Sequence, residues 1–66
     1  MTERTAKTLK AGDVVRCTLT GDSQIVDRIE GIFIILKWIR EDGTLSKGED
    51  WNAPCHLKYH EIIQRA

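Results

Sequence analysis

Ile32-Phe33-Ile34-Ile35-Leu36, followed by Lys37, Trp38 and Ile39, is the stretch whose reading decides the fold. A run of bulky and β-branched side chains this short reads as a strand. Successive strand side chains point to opposite faces. Ile32, Ile34, Leu36 and Trp38 therefore share one face. Phe33, Ile35 and Ile39 share the other, with Lys37 among them. A small chain covers one face of its own sheet readily. The second face needs another element or another molecule.

Working outward, Glu30-Gly31 makes a tight connection back to a second strand, Gln24 to Ile29. Its apolar positions Ile25, Val26 and Ile29 break the period of two, which places a bulge near Asp27-Arg28. Thr20-Gly21-Asp22-Ser23 is a turn by composition. Before it, Val15, Cys17 and Leu19 alternate with Arg16 and Thr18, as in a half-buried strand over Val14 to Leu19. On the other side, Asp42-Gly43 is a hairpin signal, and Thr44-Leu45-Ser46 is expected to start the returning strand. Pro54 suits a short helical turn over Pro54 to Leu57, and a last strand is expected across Tyr59 to Ile63; a terminal helix is the alternative. Residues 1–10 are polar with no apolar period, so they read as a flexible tail with Leu9 as its one docking residue; residues 11–66 read as a single domain.

The expected fold class is mostly β: a small antiparallel SH3-like barrel of four to five strands. Three segments sharpen it. Lys10-Ala11-Gly12-Asp13-Val14-Val15-Arg16 opens the first strand, Ile25-Val26-Asp27-Arg28-Ile29 fills the second, and Leu36-Lys37-Trp38-Ile39 ends the third. Over Lys10 to Arg40 the chain resembles small bacterial proteins of the YodC type and, more loosely, KOW-type barrels. Glu49-Asp50-Trp51 and the tail bearing Cys55, His56 and His60 depart from that pattern. The resemblance implies an SH3-like barrel and no defined activity.

Composition narrows the function. Ten basic and ten acidic residues cancel in a chain of 66, which gives little general attraction for phosphate. The longest apolar run is five residues, far below the ~20 of a membrane span. The opening residues lack the apolar core of a signal peptide. A cytoplasmic protein with reduced thiols is expected. A chain this small sits near the limit of independent stability.

No catalytic residues are expected, and no cofactor. Cys17, Cys55, His56 and His60 are a conceivable zinc set in donor type. Their spacing argues against it, because Cys17 precedes Cys55 by 38 positions and falls in phase with Val15 and Leu19. The acidic residues sit mostly at turns, where Asp bonds local backbone. The aromatics carry more. Phe33, Ile35, Ile39, Trp38 and Trp51 are the expected interface of a self-associating module, a homodimer or a binder of a protein partner. The alternative is a barrel for single-stranded nucleic acid, an accessory factor in transcription or translation. There Arg16, Arg28, Lys37 and Arg40 would hold phosphate while Trp51 stacks on a base. Neither a membrane nor a small-molecule substrate is expected.

Overall fold

The computed structural model describes all 66 residues. Five strands form one antiparallel sheet: β1 (Val14–Cys17), β2 (Ser23–Glu30), β3 (Phe33–Trp38), β4 (Asp50–Asn52) and β5 (His60–Gln64). Their order across the sheet is β4-β3-β2-β1-β5. Four strands run as a meander, and the fifth returns beside the first. Helix α1 (Glu3–Ala6) precedes the sheet, and a single 3-10 turn, η1 (Pro54–Leu57), joins β4 to β5.

The β2–β3 ladder carries the central stretch. Val26 pairs with Leu36, and Arg28 pairs with Ile35, so Asp27 is the extra residue of a bulge. This is where the broken period placed it. Beyond the bulge Ile29 opposes Ile34. Gly31 closes the hairpin at φ 58°, a conformation that side-chain-bearing residues adopt at a cost. Past β3 the chain makes only one isolated bridge, Ile39 to Leu45. The returning strand expected at Thr44 forms instead at Asp50. Ser46 fills the gap: its N–H donates to the Trp38 carbonyl, and its Oγ accepts from the Trp38 N–H at 3.0 Å. The tail of the chain is a strand, not a terminal helix, preceded by the expected turn at Pro54.

One face of the sheet holds the core. Val15, Val26, Ile34 and Leu36 point into it and pack with Ala6, Leu9 and Leu57, with Met1 and Ile62 at the margin. Residues 1–10 thus differ from the expected loose tail. Thr2 caps α1 by accepting from the Thr5 N–H, and the helix puts Ala6 and then Leu9 into the core. Helix formation here needs no amphipathic repeat, because a single turn contributes just one apolar side chain. The Met1 ammonium donates to the carbonyls of Leu57, Lys58 and His60, tying the start of the chain to the start of β5.

Asp13 locks the opposite corner. Its buried carboxylate accepts from the Lys10 N–H at 2.9 Å, the Ala66 N–H at 2.8 Å and Arg65 at 3.2 Å. Burial alone would raise its pKa, but the backbone donors Ala66 and Lys10, with Arg65, hold it below the usual carboxylate value.

The sheet is not a closed barrel. β4 and β5 are its edges, and no backbone ladder joins them. A side-chain relay on the core face spans the gap instead. His60 of β5 lies 3.3 Å from Gln24 Oε1, and Gln24 donates to Asp50 Oδ2 of β4 at 2.9 Å. At the β5 edge the Met1 ammonium takes the His60 carbonyl, and on β4 the Asn52 side chain donates to the Asp50 carbonyl.

Candidate functional site

The second face of the sheet is the one that alternation left uncovered, and neither α1 nor η1 packs on it, since both helices contribute to the core on the other side. Ile35 sits at its centre and is fully buried, yet it lies outside the core cluster. Its cross-strand partners are Arg28 on β2 and Trp51 on β4. Phe33 and Lys37 flank it on its own strand. These four side chains close over it. Ile35 was expected to be an exposed contact; it is instead the floor beneath the contact residues.

The roof is an ordered aromatic pair. Phe33 and Trp51 have ring centroids 5.6 Å apart and planes tilted by 55°, within the range of favourable edge-to-face packing. Both remain partly exposed, at 39% and 47%. The Arg28 guanidinium lies 5.8 Å from the Trp51 ring centre, a cation–π distance. The Trp51 indole N–H donates to Glu49 Oε1 at 3.2 Å. Its polar end is therefore satisfied within the chain, and its free ring surface is apolar.

Around the pair lies a closed charge network. Arg28 donates to Asp27 at 2.7 Å, Glu30 at 2.9 Å and Glu49 at 2.6 Å. The bulge makes this possible, because it turns Asp27 and Arg28 toward the same side of the sheet. Lys37 adds a longer contact to Asp27 at 3.8 Å. Arg28, hydrogen-bonded first by Glu49 and then by Asp27, has its pKa pushed further up. Glu49 is held down to about 2, chiefly by Arg28 and then by the Trp51 indole. The three carboxylates of the network outnumber Arg28 and Lys37.

The remaining expected residues fall elsewhere. Ile39 continues the Phe33–Ile35 face but is half-buried, at its bridge to Leu45. Trp38 pairs with Gln24 on the core face, at the open end of the sheet, and is 38% exposed. Arg16 is bound to Glu61. Arg40 donates to the Leu45 carbonyl at 2.9 Å, away from Trp51. So Phe33 and Trp51 share a patch with Arg28 and Lys37, while Trp38, Arg16 and Arg40 lie outside it. The sequence reading missed Glu49 as the residue that orients both Trp51 and Arg28. Its place two positions before a lone Trp was the available signal.

Cys17 and His60 are register partners on the core face, whereas Cys55 and His56 lie exposed on η1. No group of three or more His, Cys, Asp or Glu side chains lies close enough to hold a metal. His60 has its own peculiarity. Gln24 uses its amide N–H on Asp50, so its oxygen must accept from His60 Nε2–H. Nδ1 is then an unprotonated nitrogen, buried with no partner. Burial lowers the His60 pKa; Asp50 pulls it up and the Met1 ammonium pushes it down, with a net lowering. No helix is long and apolar enough to cross a membrane.

No protein-family model, curated protein or solved structure matches this chain.

Proposed function

We propose that this chain is a non-enzymatic interaction module of SH3-like type that docks a protein, including a second copy of itself, on the outer face of its sheet. One observation carries the reading. The Phe33–Trp51 pair is held in place over a sealed Ile35, on a face that no other element of the chain covers. Trp and Arg near the centre of a patch are the usual anchors of a protein contact. Side chains already fixed by Glu49 and Arg28 lose little further freedom on binding, which favours affinity. A meander whose fifth strand returns beside the first after a 3-10 turn supports the SH3-like assignment, in a form that side chains rather than backbone draw toward closure.

The nucleic-acid alternative draws less support from the same geometry. Arg16, Arg28 and Lys37 each contact a carboxylate, and a phosphate would have to displace it. The face also carries more acid than base around Trp51, which opposes a polyanion.

Light scattering tests the proposal. The wild-type chain, alone or with nuclease-treated extract from its host, should form a species heavier than 7.5 kDa. The double variant Phe33→Ser/Trp51→Ser should stay at that mass in both settings. Equal behaviour of the two proteins, or a heavier species that forms only when the extract is left without nuclease, refutes it.

A further inference from the structure

A second surface lies on the core side of the sheet, at the end where β2 turns into β3. Here α1, the hairpin turn and Pro54 enclose an apolar groove of about 240 Å³. Ala6, Leu9 and Ile34 are buried and form its floor; Ile29 and Ile32 are 45% and 68% exposed and form its walls. The volume lies below that of pockets for drug-sized ligands, so the groove suits a small ligand. One charged residue lines it, Lys7, and no acidic residue does. None of the six ion pairs of the molecule includes Lys7. Arg4, Lys10, Arg40, Lys47 and Lys58 are likewise outside the ion pairs; Lys7 differs from them in lining the groove. A cationic residue lining an apolar slot with no acidic neighbour in the lining is complementary to a ligand with an aliphatic tail and a negative head.

We propose that this groove binds a free aliphatic carboxylate, with its chain between Ile29 and Ile32 and its carboxylate on Lys7. The site is independent of the outer face. It uses the other side of the sheet and shares none of Phe33, Trp51, Arg28 or Glu49.

Amide NMR of the full chain tests it with three probes: octanoate below its micelle-forming concentration, acetate and octylammonium. Octanoate should give saturable shifts at residues 6–9 and 31–32 and leave the Trp51 indole unmoved. Acetate, lacking the tail, should give none. Octylammonium, with the same tail and the opposite charge, should bind more weakly by about fivefold, the upper end of what one exposed ion pair contributes. Lys7→Glu should weaken octanoate by about the same factor without weakening octylammonium. Ile32→Ser should weaken both. These two side chains are exposed, so the fold survives either change. The proposal is overturned if octanoate does not saturate, if octylammonium binds equally well, or if the shifts centre on Trp51. It is also overturned if phosphatidylglycerol vesicles bind the chain while octanoate does not. Failure here leaves the outer-face reading standing, because the Phe33 and Trp51 variants do not enter this experiment.

Discussion

Replacing Asp13 by Asn should remove a large part of the stability of this protein. The Asp13 carboxylate is 1% exposed and accepts from the Lys10 N–H, the Ala66 N–H and Arg65. Asn keeps the shape but has one acceptor oxygen in place of two. Its NH₂ group would face one of the backbone donors. A hydrogen bond to a charged group contributes roughly 1.5–3 kcal/mol, and a buried donor left unpaired costs a further ~1–3 kcal/mol. Arg65 is half-exposed, so loss of its ion pair adds little. A total of about 3 kcal/mol follows, against roughly 3–10 kcal/mol for a chain of 66 residues at typical stability per residue. With a urea slope of about 1 kcal/mol per M, the midpoint should fall by roughly 3 M, or the folded baseline should vanish. Urea unfolding followed by Trp fluorescence measures this. The pH dependence supplies a control. The folded pKa of Asp13 is depressed, so its contribution is present above the unfolded value of 3.8 and is lost as pH falls through and below it. Asp13→Asn should lack that part of the acid transition. A midpoint shift worth less than ~0.5 kcal/mol would refute the role given to this carboxylate.

Ile35→Ala should cost roughly 2–5 kcal/mol, as for a core aliphatic, although Ile35 lies on the face opposite the main core. Ile35→Glu should prevent folding, and a folded Ile35→Glu protein by circular dichroism would show that the roof over this residue does not exist. His60 should make the protein sensitive to mild acid. Its folded pKa lies below the unfolded value of 6.5, so the unfolded chain takes up the proton first and stability falls as pH drops below about 6.5. His60→Gln should flatten the slope of urea midpoint against pH between neutrality and pH 5, and an unchanged slope would place the titrating group elsewhere.

Alternation along Ile32–Ile39 was enough to sort the central strand into two faces, and the ladder follows it residue by residue. The bulge at Asp27 was legible for the same reason, since a lost period leaves few other readings. Local chemistry located the turn at Pro54 and the last strand. What the sequence hid is long-range. Asp13 reads as a turn former, and its bond to Lys10 is of that kind, but nothing local says that Ala66 and Arg65 come to it. Residues 1–10 look like a tail because a one-turn helix has no period to display. β4 formed later than expected because Ser46 satisfies the Trp38 backbone by itself, so pairing resumes only at Asp50. Barrel closure was likewise beyond local reading, as it depends on whether two edge strands find a ladder or only a relay through Gln24. At the candidate site, Phe33 and Trp51 were both visible as apolar aromatics. That they would meet, with Ile35 sealed beneath, depends on the register of β3 against β4.

The claim that the Phe33–Trp51 face is a docking surface is tested most directly by 5-fluorotryptophan labelling, because the two Trp residues report on opposite faces of the sheet. In ¹⁹F spectra from micromolar to millimolar chain, or with added partner, the Trp51 resonance should shift or broaden while that of Trp38 holds. Movement at Trp38 alone, or at neither position, would contradict it.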